Sequence, residues 1–156
     1  MKQLSTGIVG PDFTLQTING RTVQLSKATL DRPVVLAFYK AGCPTCQLTF
    51  PYLQRIHAEL RDASKFKIYG VSQDEATETG RFAEEFGITF DILIDEHPYA
   101  VSTAYGLEFV PTIFAVGTDG IIQLSDYGFS KATLSEIGRP LQLFTPDDGL
   151  PATRPG

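Results

Sequence analysis

The chain has 156 residues, the length of a single domain, and can bury roughly 70% of the surface its unfolded form would expose. It therefore needs no disulfide or metal staple to hold a core. With 42% hydrophobic and 20% charged residues it has the balance of an ordinary globular protein. Its net charge of −5, with no Lys/Arg cluster, argues against a nucleic-acid partner.

No apolar stretch reaches the roughly 20 residues of a membrane-spanning helix. Residues 1–7 also lack the apolar centre of a signal peptide. The expectation is a cytoplasmic protein with no membrane partner, or an exported one if the sequence is a piece of a longer chain.

In chain order, the stretches 13–16 and 21–25 flank Asn19-Gly20, a hairpin signal. Residues 26–30 fit a short helical turn. The run 33–39 (Pro-Val-Val-Leu-Ala-Phe-Tyr) is almost continuously apolar, as in a strand covered on both faces. Helical spacing follows over 43–60, with Leu53, Ile56 and Leu60 on one face and Pro44 suited to the first helical position.

A strand at 66–71, a helix at 74–86 and a short strand at 91–94 come next. A helix at 98–105 follows, then strands at 112–116 and 121–125 joined by Gly117-Thr118-Asp119-Gly120. The last helix is expected over 130–143. Residues 1–144 form the expected domain, and 145–156, with three prolines and two glycines, an irregular tail. This order fits a mixed sheet with helices on both faces.

The chain has two cysteines, three residues apart, in Cys43-Pro44-Thr45-Cys46. A disulfide between them would close too short a loop to stabilise the fold much, so the pair reads as reactive rather than structural. Cys43 falls at a helix start, where unpaired N–H groups favour an anionic sulfur. Cys46 lies one turn further in. Cys43 is the expected nucleophile and Cys46 the resolving thiol.

These residues resemble the thioredoxin-like superfamily, in its TlpA-like and AhpC/TSA (redoxin) branch. The matching stretches are Pro11-Asp12-Phe13-Thr14-Leu15, 35–46, Gly70-Val71-Ser72-Gln73-Asp74 and Ile92-Leu93-Ile94-Asp95. Ala104-Tyr105-Gly106, Val110-Pro111-Thr112 and Gly117-Thr118-Asp119-Gly120 complete the set. The resemblance implies an α/β thioredoxin-like fold with an N-terminal β-hairpin and a central αβ insertion.

It also implies that Pro111 is the cis-proline facing the cysteines, and that Val110 pairs with an extended substrate by strand addition. Gly42, Pro44 and Thr45 would line the same substrate site. The implied activity is thiol–disulfide exchange with protein or peptide substrates, reset by an external reducing or oxidising system, without cofactor or metal.

The chain departs from the family in places. Gly42 stands where thioredoxins carry a tryptophan, Ala37 where they carry a buried acid, and Thr49 where TlpA-like proteins often carry a glutamate. No carboxylate in those positions serves as proton carrier for Cys46.

Three other readings compete. In a peroxiredoxin Cys46 would be the peroxidatic residue, yet Cys43 replaces the activating threonine, and the peroxide-site arginine would fall near Val110 or Pro111. A zinc or iron–sulfur site needs about four ligands. The chain offers one cysteine pair with His57 and His97, which read as ordinary side chains. A non-enzymatic binding module switched by the pair is the third. Asp74 and Glu75 read as part of a solvated helix face, Asp95 and Asp119 as turn residues, and Phe38 and Tyr39 as core.

Overall fold

Strand formation begins where the sequence is most apolar. In the computed structural model, which describes residues 2–60 and 65–156, Val34 to Tyr39 are all buried. The elements are β1 (Thr14–Thr17), β2 (Thr22–Gln24), α1 (Leu25–Asp31), β3 (Val34–Tyr39), α2 (Pro44–Leu60), β4 (Lys67–Ser72) and α3 (Ala76–Glu85). They continue with β5 (Ile92–Ile94), α4 (Ala100–Ala104), β6 (Thr112–Val116), β7 (Ile122–Tyr127), β8 (Phe129–Ser130), α5 (Lys131–Ile137) and β9 (Thr153–Arg154).

Seven strands form one sheet in the order β2-β1-β5-β4-β3-β6-β7. β3 runs parallel to β4 and antiparallel to β6, and β4 runs parallel to β5. The α3–β5 unit inserts β5 between β4 and the N-terminal hairpin, where β5 pairs antiparallel with β1. In that hairpin Gly20 takes φ +82°, and its N–H donates to the Thr17 carbonyl at 2.9 Å. A left-handed residue at this corner is the reason for a glycine.

The period of two along β3 divides its side chains between two cores. Val35, Ala37 and Tyr39 join Phe50, Leu53 and Ile56 of α2, Phe82 of α3 and Leu134 of α5. Val34, Leu36 and Phe38 join Leu25 of α1, Val101 of α4, Tyr105 and Phe114. The continuous apolar run is thus the signature of a strand sandwiched by helices on both faces.

The last helix is shorter than its apolar spacing suggests, ending at Ile137 instead of 143. Gly138 caps it by donating its N–H to the Leu134 carbonyl at 2.8 Å. Pro140 then disfavours helical backbone at Arg139. Leu143 and Phe144 still pack inward, Phe144 with its ring 4.7 Å from that of Tyr52. The apolar side continues; the helix does not. Likewise α3 starts at Ala76 and α4 at Ala100, each two residues inside its expected start.

The segment after 144 is mostly irregular, but β9 within it pairs antiparallel with β8. Neither short strand has a recognisable sequence signal.

Phe50 lies at the centre of the α2 side, fully buried, with its ring 4.3 Å from Tyr39 and 5.4 Å from Phe82. Phe50→Ala is expected to lower the unfolding free energy by about 3–5 kcal/mol. Urea denaturation of the reduced protein measures this, and a loss below about 1 kcal/mol would contradict this packing.

Candidate active site

β3 and α2 meet at a short loop, Lys40-Ala41-Gly42, and Cys43 sits where the helix begins. The Cys43 N–H donates to the Lys40 carbonyl at 3.2 Å, and its own carbonyl accepts the helical bond from Gln47 N–H at 3.0 Å. Pro44 takes the first helical position, where its missing N–H costs nothing. The Cys46 N–H points at Cys43 Sγ, 3.4 Å away. The sulfur thus fills the place of an N-cap acceptor, and negative charge on it would strengthen the contact.

The loop is held from two sides. Ala41 N–H donates to Asp74 Oδ2 at 2.7 Å, and the Ala41 carbonyl accepts from Gln47 Nε2 at 2.9 Å. Asp74 follows the end of β4, and its own N–H donates to the Ser72 hydroxyl at 3.0 Å. It is a half-buried brace of the cysteine loop, not a residue of a solvated helix face.

Asp95 also differs from its expected role as a turn residue. It is buried, and its carboxylate accepts from Ser102 N–H at 2.8 Å and the Ser102 hydroxyl at 2.7 Å at the start of α4. Asp119 does serve a turn, accepting from Ile121 N–H at 3.0 Å. The one sequence hint for Asp74 and Asp95 is their position just after strands, at the sheet edge where β3 also ends.

The two thiols are free and differ in exposure: Cys43 is partly exposed, Cys46 fully buried. Burial pushes the Cys46 thiol well above the usual cysteine range. Cys43 and the Asp74 carboxylate push it the same way, against a hydrogen bond with the backbone of Lys40. Beside Cys46, Ala37 and Thr49 are fully buried, and the Thr49 hydroxyl donates to the Thr45 carbonyl at 2.8 Å. The Tyr39 hydroxyl is buried, and burial raises its pKa against an opposing contact with the Ser72 side chain.

Across from the cysteines, the chain enters β6 through Val110 and Pro111, joined by a cis peptide bond. Cys43 Sγ lies 3.5 Å from the Val110 carbonyl oxygen, to which its S–H donates. Pro111 is buried and Val110 half-buried, while Gly42 is exposed with open space around its Cα. Cys43, Cys46, Pro44, Thr45, Val110 and Pro111 therefore gather at one place, with Gly42 at its open side.

Phe109 and Tyr127 form an exposed stacked pair next to Val110, with ring centroids 5.3 Å apart. His57 and His97 lie elsewhere, their rings against Phe90 and Tyr99. Among the described residues no group of three or more His, Cys, Asp or Glu is placed to hold a metal ion.

The model of the AhpC/TSA family matches residues 7–125. The thiol-disulfide oxidoreductase ResA of Geobacillus thermodenitrificans is 29% identical over 121 residues, which are 77% of this chain and 68% of that protein. The chloroplastic peroxiredoxin Q of Triticum aestivum is 35% identical over 95 residues, 60% of this chain and 43% of that one. A putative thiol:disulfide interchange protein DsbE from Chlorobium tepidum superposes with a TM-score of 0.76 at 27% identity, covering 86% and 93% of the two chains.

The protein is an oxidoreductase of the thioredoxin-like type, and its chemistry is thiol–disulfide exchange. Within that class, the chain belongs to the AhpC/TSA family. Among the described residues no helix is long and apolar enough to cross a membrane.

Two outcomes follow from the buried thiol. Cys46 stays protonated in the folded state at pH values where an unfolded cysteine, with a pKa of about 8.5, ionises. Above that pH the unfolded state holds fewer protons, so stability must fall as pH rises, by at most about 1.4 kcal/mol per pH unit for this one group. Denaturation of the reduced protein between about pH 8.5 and 10 should show this fall, and Cys46→Ser should remove it. Asp74→Asn keeps an acceptor for Ala41 N–H but removes the charge. Thiolate absorbance in a Cys43→Ala background should then show Cys46 ionising at lower pH than with Asp74 present.

Proposed function

We propose that Cys43 and Cys46 alternate between dithiol and disulfide by exchange with a cysteine pair in a protein or peptide, held extended beside Val110 and Pro111. The observation that carries this reading is the position of Cys43. It is the exposed member of the pair, its sulfur faces the Cys46 N–H on one side, and the Val110 carbonyl lies on the other.

In the reducing direction, the Cys43 thiolate attacks one sulfur of the substrate disulfide. The S–S bond breaks, one substrate thiolate leaves, and a mixed disulfide joins Cys43 to the substrate. Cys46 then loses its proton and attacks Cys43 Sγ from within. The second substrate thiolate leaves and takes up a proton. The products are a reduced substrate and a Cys43–Cys46 disulfide, two electrons having moved. The same steps run backwards when an external oxidant supplies the disulfide.

The burial of Cys46 gives the order of events a reason. A thiol that water does not reach stays neutral until the mixed disulfide is next to it. Asp74, which holds Ala41 N–H at 2.7 Å and whose charge acts on the Cys46 thiol, is the carboxylate we assign to receive its proton. Pro111 supplies no N–H of its own to the groove beside the sulfur. Gly42 leaves the opposite side open.

The peroxiredoxin relative suggests a peroxidase in which Cys46 meets peroxide first. The burial of Cys46 and its raised thiol pKa stand against that.

The test is trapping. Cys46→Ser, incubated with a disulfide-bridged peptide, should accumulate a covalent adduct on Cys43 visible by mass spectrometry under non-reducing conditions. Cys43→Ser should accumulate none. Equal trapping by Cys43→Ser would reverse the roles. Peroxide consumption without any trapping would replace the reading with the peroxidase one.

A further inference from the structure

The segment after 144 is fastened at successive points toward the cysteines. The Lys131 ammonium donates to Asp148 Oδ1 at 2.8 Å and to the Leu150 carbonyl at 2.9 Å. Lys131 N–H donates to the Ala152 carbonyl at 2.9 Å. Thr153 and Arg154 then pair with Ser130 and Phe129 as β9 against β8. Beyond that pairing the Thr45 hydroxyl donates to the Pro155 carbonyl at 2.7 Å. Gly156 comes so close to the Val110 carbonyl that a Cβ built on it would collide with that oxygen.

The two groups reached last matter most. Thr45 lies between the cysteines, and Val110 is the residue whose carbonyl lies 3.5 Å from Cys43 Sγ. The path is also continuous with the edge beside Pro111. Gly128 N–H donates to the Pro111 carbonyl at 2.8 Å, and a Cβ on Gly128 would meet the Arg154 carbonyl at 2.5 Å. Gly128 takes φ +74°, so glycine is required there for its backbone and for the close passage of residue 154.

We propose that residues 153–156 form an intramolecular strap over the groove beside Cys43, which an extended peptide must displace before its disulfide reaches the sulfur. The inference rests on the reading that this groove takes peptides. The strap occupies it in the same manner, as extended chain added to an exposed edge.

Its attachment suits displacement. Residues 153–156 are all exposed, and beyond Ala152 they are held, among the described residues, by a two-residue strand pairing and one side-chain hydrogen bond. The Lys131 contacts keep the strap's base in place when residues 153–156 lift away. A tethered segment competes at an effective concentration in the millimolar range, so weak contacts suffice to exclude a weakly bound peptide while a well-fitted one prevails.

The experiment compares the full chain with a variant lacking residues 153–156 and with Gly156→Val, whose side chain would collide with Val110. The deletion leaves the Lys131 anchors through Ala152 intact, and circular dichroism checks folding. With a disulfide-bridged peptide as substrate, KM should fall by about tenfold in both variants, the scale expected when a tethered competitor is removed. The rate with 2-hydroxyethyl disulfide, too small to need the groove, should change far less. Equal peptide KM values in folded variants that still exchange the small disulfide would overturn the strap.

Alkylation of Cys43 by a bulky maleimide supplies a readout that does not need turnover. Faster labelling in both variants supports the strap, and unchanged labelling overturns it. If no form exchanges any disulfide, the exchange reading fails, and the labelling result alone decides the strap.

Discussion

The site depends on the burial of β3. Six successive residues, Val34 to Tyr39, are covered on both faces, so the strand has neighbours everywhere except at its ends. At the C-terminal end the chain must leave the sheet, turn through Lys40-Ala41-Gly42 and enter α2, whose Phe50, Leu53 and Ile56 are committed to the core on one face. The first turn of that helix is therefore fixed at the end of the sheet, with the Cys46 N–H directed at Cys43 Sγ. Cys43 sits at this point, and the direction its sulfur takes follows from how β3 and α2 pack.

The division of labour within the pair is then a matter of water. Cys43 and Cys46 are one helical turn apart, yet one stands at the exposed start and the other has no exposed surface. No separate device is needed to make one sulfur the first to react. Cys43 stands where a substrate can reach it, and burial keeps Cys46 neutral. The price is that Cys46 must lose its proton at a site where Ala37 and Thr49 cannot accept one. That places weight on Asp74, which reaches the loop from the end of β4 while also fixing Ala41.

The periodicity of the sequence made the sheet and most helices legible, because burial on one or both faces leaves a pattern in the residues themselves. The cysteine pair was legible for a chemical reason, and Val110-Pro111 through family resemblance. Asp74 and Asp95 were not legible. A carboxylate that accepts backbone N–H groups across 33 residues, as Asp74 does with Ala41, looks in sequence like any polar residue at a helix start. The end of the last helix is hidden in the sequence because Leu141 and Phe144 keep an apolar spacing that serves packing after the helix has stopped at Gly138. The β8–β9 pairing has no sequence signature, since two-residue strands leave no alternation of side chains.

That pairing bears on how an open site can stay selective. Gly42 carries no side chain to shield Cys43, and nothing lies within 4 Å of where one would begin. A sulfur so exposed would meet any small disulfide. The groove on the other side, between Thr45 and Val110, is where the chain lays its own residues 155 and 156. The two sides therefore discriminate differently: the open side by nothing more than collision, the covered side by the requirement to replace Thr45–Pro155 and β8–β9 contacts with better ones. A partner that offers a longer extended segment, with apolar groups to set against the stacked Phe109 and Tyr127, gains on the covered side what a small thiol cannot.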